Sequence, residues 1–211
     1  MEPFMDLELI RTQSLQTAER LGYNVIESLP RLDEAVSTRS LDETVKRLLC
    51  LHAAAAGAYG FDRKKAWSWL QQEDATQSLA ASERQFLEQG IGDPNRFKIQ
   101  IEGMWALAWV LDLTPHLDFG KDCDGRFAAL LPNLKVNENS SSLRRRAKLR
   151  SVEEIIRADD LAYCLHWSVR QAQLDGSKPP GHVQPYVVEE RRRSLDWMLS
   201  NEHWDDVSLD T

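Results

Sequence analysis

Asp159, Tyr163, His166 and Arg170 recur at spacings of four, three and four, which in a helix lines them along one edge. A carboxylate, an imidazole and a guanidinium in one row are the ingredients of general acid–base chemistry or of a metal site. The row borders an apolar face made by Ile155, Ala158, Ala162, Leu165, Val169 and Ala172, so it lies at the edge of a core. Asp160 adjoins it. Further on, Val188, Arg191, Leu195 and Met198 share one helical stripe, while Glu189, Arg192, Arg193 and Asp196 fall on the opposite, solvent face. Arg191 therefore stands among apolar neighbours. An unpaired buried guanidinium costs on the order of several kcal/mol, so it needs a carboxylate or a carbonyl. Glu102, inside an apolar run, and Glu190 are the carboxylates at hand.

The closing Trp204-Asp205-Asp206-Val207 and Asp210-Thr211 add more acidic groups. They suit an arginine or a helix N-terminus better than a calcium ion, because the intervening Gly and distal Glu of a calcium loop are missing. The sequence thus predicts one polar network drawn from Glu102, Asp159, Asp160, Tyr163, His166, Arg170, Glu190, Arg191, Asp205 and Asp210. Trp105, Trp167, Trp197 and Trp204 are candidates to line it, although large indoles mostly fill cores. Of Trp67 and Trp69, two apart, one is expected to face solvent. No metal is assigned, because His52 and His166 have neither HxxxH nor HExxH spacing and no paired Glu-x-x-His motif occurs. No cofactor is implied, since the phosphate-binding glycine loop, the dinucleotide fingerprint and Gly-x-Ser-x-Gly are absent.

The elements that must position these groups read as helix after helix, in one all-α globular domain spanning 1–211. Asp6 to Leu21 is the first. Ser40-Leu41-Asp42-Glu43 and Ser151-Val152-Glu153-Glu154 are capping boxes that open two longer helices, and each is preceded by arginine, Arg39 and Arg150. That echo fits two independently good helix starts better than a repeat architecture. Ser82 to Gln89 is a short helix, and Phe97 to Leu113 is nearly all apolar and reads as a buried central helix. The Ser151 and Tyr186 helices are expected to pack against it. Between them, about 120–148, Gly, Pro and a polar Asn137 to Ser142 stretch predict a mobile loop. Arg144, Arg145, Arg146, Lys148 and Arg150 read as a solvated loop and helix start in preference to an anion-binding patch.

Bulk properties narrow the function. A net charge of -7 over 211 residues argues against a dedicated nucleic-acid binder. Cys50, Cys123 and Cys164, odd in number and without CxxC spacing, suit a reducing cytoplasm. Met1 to Asp6 lacks a secretory pattern, and the longest apolar stretch is far short of the roughly 20 residues a membrane span needs.

Several of these positions together resemble the bacterial family catalogued as domain of unknown function 4272. The resemblance runs from about Arg11 to Thr211. It rests on Gly22, Leu29-Pro30, Arg39-Ser40-x-x-Glu43 and Glu102-x-x-Trp105. It continues through Leu149-Arg150-Ser151 with Glu154, Asp160-Leu161, His166-Trp167 with Arg170, Glu190-Arg191 with Leu195-x-Trp197, and the closing Trp204-Asp205-Asp206-Val207. It implies an all-helical bacterial domain and no particular activity. The residues themselves favour a non-enzymatic cytoplasmic binding or adaptor protein, such as an immunity-like acidic partner of a basic protein. The alternative is a hydrolase-like or metal-dependent enzyme using Glu102, His166 and Glu190 in a cleft.

Overall fold

Both capping boxes are built. Ser40 Oγ accepts from the Glu43 N–H at 3.3 Å while Glu43 Oε2 accepts from the Ser40 N–H at 3.0 Å, opening α2, Leu41–Ala58. Ser151 and Glu154 repeat the exchange at 3.2 and 3.1 Å to open α8, Val152–Leu174. Each box satisfies N–H groups that a helix start leaves without partners. Asp6 caps α1 (Leu7–Arg20) and Asp62 caps α3 (Arg63–Gln72). The remaining helices are α4 (Ala81–Gln89), α5 (Pro94–Ile99), α6 (Ile101–Val110), α7 (Ser141–Arg146) and α9 (Pro185–Leu199). This computed structural model describes residues 6–26, 28–30 and 38–211, so the Met1–Met5 stretch read above for a signal lies outside it. Among the described residues there is no strand, and no helix is long and apolar enough to cross a membrane.

The helices form two halves. In one, α2 is surrounded by α3, α4, α5 and α6, and it buries Leu48, Leu49, Leu51, Ala53 and Ala54 completely. In the other, α8 lies between α1 and α9. The seam is the crossing of α6 on α9. A Cβ on Gly103 would come within 2.7 Å of Ser194 Oγ, so glycine is what lets the two backbones approach. Ser194 then donates its hydroxyl to the Gly103 carbonyl at 3.0 Å.

Two expectations about the central helix change in detail. The 97–113 run is divided at Gln100, where α5 ends. Phe97 stacks on Phe86 with ring centroids 4.4 Å apart, and α6 goes on to meet α9. Of its expected neighbours, α9 packs on α6 directly, whereas α8 packs on α9 and α1. The approach to α8 is tied to the end of α6 by Lys148 and Arg150 N–H donation to the Leu111 and Val110 carbonyls, at 3.0 and 2.9 Å.

The 120–148 segment carries local structure of its own. Short 3-10 turns at Phe127–Leu130 and Leu134–Val136 and the helix α7 anchor it, with Phe127, Leu131, Leu134 and Leu143 buried. Trp69 donates its indole N–H to the Glu138 carbonyl at 2.8 Å. Glu73 accepts from both the N–H and the hydroxyl of Ser140. These anchors are backbone groups and scattered apolar contacts with no period, which composition does not announce.

Candidate functional site

The expected single network is divided among separate clusters. Arg191 and Glu102 do pair, almost fully buried at 0% and 2% exposure. Nε and Nη2 of Arg191 donate to Glu102 Oε2 at 3.0 and 2.7 Å, and the Cys123 N–H occupies Oε1 at 2.9 Å. The rest of the guanidinium donates to the carbonyls of Asp118 and Lys121, at 2.6 and 2.8 Å. The pair is thus a staple that draws the 118–123 turn onto α6 and α9, and both Glu102 oxygens are engaged.

Two more staples were missed from sequence. Arg11 forks onto Asp160, its Nη2 at 2.7 Å, and also donates to the carbonyls of Leu29 and Pro30. Arg47 pairs with Glu83 and donates to the Ser78 carbonyl at 2.8 Å, while Glu83 also accepts from the Ala80 N–H. The signal was present, because Arg47 sits beside Leu48 and Leu49 and Arg11 follows Ile10, the same charge in an apolar stripe that exposed Arg191.

His166 belongs to a fourth cluster. Arg192, expected on the solvent face, is 5% exposed because residues 207–210 fold back over that side of α9. Its Nη1 lies 2.7 Å from His166 Nδ1, and its guanidinium also donates to the Leu209 and Asp210 carbonyls. An arginine can only donate, so Nδ1 accepts and the proton of His166 is on Nε2. Burial, reinforced by Arg192, pushes the imidazole down to about 3, leaving it neutral. Tyr163 lies beneath both Arg11 and Arg192, 5.8 and 4.8 Å from ring centre to guanidinium. Asp159 and Asp196 are both held above the usual carboxylate range, first by burial and for Asp159 next by Asp196.

Glu190 stands apart. Its nearest cation is Arg193, at 3.7 Å, its Oε2 is buried without a partner, and burial raises it to about 7. Arg170 is exposed and bonded to Gln173, and with His166, Glu189 and Asp210 it lines an open cavity of about 530 Å³ at the end of the chain. Asp205 takes the helix-terminus role, accepting from the N–H and hydroxyl of Ser82 in the first turn of α4 and bridging to Arg96. Asp210 is exposed and contributes its backbone carbonyl. Glu102, His166 and Glu190 therefore have three different sets of partners. Among the described residues no group of three or more His, Cys, Asp or Glu could hold a metal ion.

Of the aromatic candidates, Trp197 and Trp204 meet edge to face at 5.9 Å, while Trp105 packs on Phe127 and Trp167 is half-buried elsewhere. Trp69 is buried, and Trp67 is half-buried under Arg84.

The sequence echo proves to be a repeated tertiary device. Arg150 stacks over Trp109 at 4.8 Å, donates its Nε to the carbonyl of that tryptophan at 2.8 Å and donates its N–H to the next residue, Val110. Its Nη2 reaches the Thr114 carbonyl, five residues past the tryptophan. Arg39 treats Trp197 in the same way. The ring lies at 4.2 Å, the Trp197 carbonyl at 2.7 Å, the N–H goes to Met198, and Nη2 reaches the carbonyl of Glu202, again five residues on. Arg144 and Arg146, read as part of a solvated run, are likewise engaged, with Asp42 and with the Leu130 carbonyl.

One apolar groove completes the surface. It encloses about 910 Å³ between the end of α2 and the 128–138 segment, lined by His52, Ala56, Tyr59, Phe61, Leu131 and Leu134. Tyr59 is 65% exposed at its edge. His52 is half-buried and donates its Nε2–H to the Pro132 carbonyl at 2.9 Å, joining the two walls.

Fold and site together define an all-helical domain whose buried charge is spent on fixing its own turns and chain ends. The chain belongs to the family described as domain of unknown function DUF4272, whose model matches residues 11–207. No curated protein and no solved structure matches it.

Proposed function

We propose that the chain is a protein-binding module of the bacterial cytoplasm whose partner is a basic protein. The carrying observation is the apolar groove walled by α2 and the 128–138 segment, with Tyr59 standing exposed at its edge. An aromatic anchor beside a concave apolar surface is the common core of a protein interface. The net charge of -7 favours a partner of opposite charge and speeds encounter with it. Rigid walls support this use, since the His52–Pro132 bond and the Arg144 and Arg146 contacts fix the groove before a partner arrives. A cytoplasmic setting agrees with three free cysteines, of which Cys50 and Cys164 are pushed up to about 12 by burial and so kept as inert thiols.

A photo-crosslinking side chain placed at Tyr59, and separately at exposed Leu174 on α8, tests the reading in the native host. The Tyr59 position should yield one adduct with a basic protein and the Leu174 position none, and Tyr59→Asp should abolish co-purification without lowering the melting temperature. Equal labelling from both positions, or none from Tyr59, would overturn it.

A further inference from the structure

The two arginine–tryptophan clamps are matched residue for residue up to one point, and the mismatch identifies a site. At the Arg150 clamp the cation is neutralised by two carboxylates. Asp112, three residues past Trp109, meets Nη2 at 2.9 Å, and Glu154 of the capping box meets Nη1 at 3.1 Å. At the Arg39 clamp the residue three past Trp197 is Ser200. The corresponding Glu43 bonds Ser40 through Oε2 just as Glu154 bonds Ser151, but makes no ion pair with Arg39 through its other oxygen. Among the described residues no carboxylate lies within ion-pair distance of Arg39, and its Nη1 has no hydrogen-bond partner. Its nearest counter-charge, Glu43, acts on it from beyond ion-pair distance, an open arrangement for a half-buried guanidinium.

Arg39 instead lines a cavity of about 390 Å³ that it shares with Arg47, Trp197 and Trp204. Two of these walls carry donors with nothing to donate to. Trp204 is 3% exposed and its indole Nε1–H is unpartnered; Arg47 is 2% exposed and its Nε–H is unpartnered. Buried donors nearly always find acceptors, so a cavity lined by such groups calls for an oxygen-rich visitor. Asp205 lines the cavity as well, but its oxygens are taken by Ser82 and Arg96. Glu43, Glu202 and Asp206 are exposed beside it and disfavour a second negative charge.

We propose that the Arg39 corner is a binding site for a small monocarboxylate, whose carboxylate takes the place that Asp112 fills at the Arg150 corner and accepts from Arg39 and Trp204. The cavity is near the lower end of the range for small-molecule sites, which fits a molecule of a few carbons. Titration of the full chain with acetate, butyrate and hexanoate, beside the matching primary amides, tests this by intrinsic tryptophan fluorescence and by the indole N–H resonances in NMR. The carboxylates should give a saturable response that the amides do not, with the Trp204 indole N–H moving most. Arg39→Gln should weaken binding at least tenfold. Ser200→Asp, which supplies the missing carboxylate from within the chain, should abolish the titration and raise the melting temperature, and it serves as the test if Arg39→Gln does not fold. Amides responding as strongly as carboxylates, no saturation up to millimolar concentration, or a response that survives Ser200→Asp would each overturn the proposal.

Discussion

The corner where Arg150 grips Trp109 and the corner where Arg39 grips Trp197 use the same capping box, the same stacked guanidinium and the same three backbone contacts, yet one is closed by carboxylates and the other is open. The parallel extends about two helix turns further. Glu102 stands seven residues before Trp109, and Glu190 stands seven before Trp197. Glu102 is met by Arg191 on the opposing helix, whereas the position that would answer Glu190 is Gly103, kept small by the helix crossing. Repeated local geometry therefore does not fix local charge balance. What decides it is whether a partner can reach across the seam, and close backbone approach on one side excludes a long cation there.

The largest effect expected from breaking the parallel is at Glu102. Glu102→Gln leaves Arg191 buried beside a neutral amide and should lower stability by about 3–5 kcal/mol in chemical denaturation, the scale for a broken buried pair. A loss below about 1 kcal/mol would show the pair to be incidental.

Glu190→Gln should act in the opposite direction. A carboxyl raised from its ordinary range to about 7 favours folding fully at pH below about 4.5 and loses that contribution as pH rises toward 7. The native protein should accordingly lose on the order of 1–3 kcal/mol between pH 4.5 and 8 through this group, and the variant should lose less. Parallel pH profiles for the two would remove Glu190 as the cause.

The capping boxes supply the case in which no difference is expected. Ser40→Ala and Ser151→Ala should each cost about 1 kcal/mol, because the two boxes have nearly the same geometry. Unequal losses would mean that the two corners differ in the helix start and not only in charge. The smallest effect is at Asp112, whose side chain is 53% exposed. Asp112→Ser, which makes the closed corner resemble the open one, should cost about 0.2–1 kcal/mol and fade in high salt.

Much of this was legible in the sequence, and the unread part has a common cause. Helix starts were readable because Ser40, Ser151, Asp6 and Asp62 act within three residues. Arg191 was readable because helical period alone sets it among Val188, Leu195 and Met198, and the same rule would have found Arg47. Arg192 was not, because its burial comes from residues 207–210, and nothing in the period of α9 announces that cover. The Arg39 and Arg150 clamps could be seen as matching pentapeptides but not as contacts, since their tryptophans lie 158 and 41 residues away. The candidate site suffered most, because spacing on α8 and α9 shows which residues share a face and not which of several arginines each carboxylate meets.

Those two separations also set an order of assembly during synthesis. At roughly 5–20 residues per second, the Arg150 corner has both members soon after Arg150 leaves the ribosome, whereas Arg39 waits roughly 8–30 s for Trp197. Throughout that interval the start of α2 has its own capping box but no tryptophan to hold it. Asp205, which anchors α4, arrives later still. The first half of the molecule thus waits on the end of the chain, and a nascent chain stalled before Trp197 would present Arg39 and the bare start of α4 to whatever waits outside the exit tunnel.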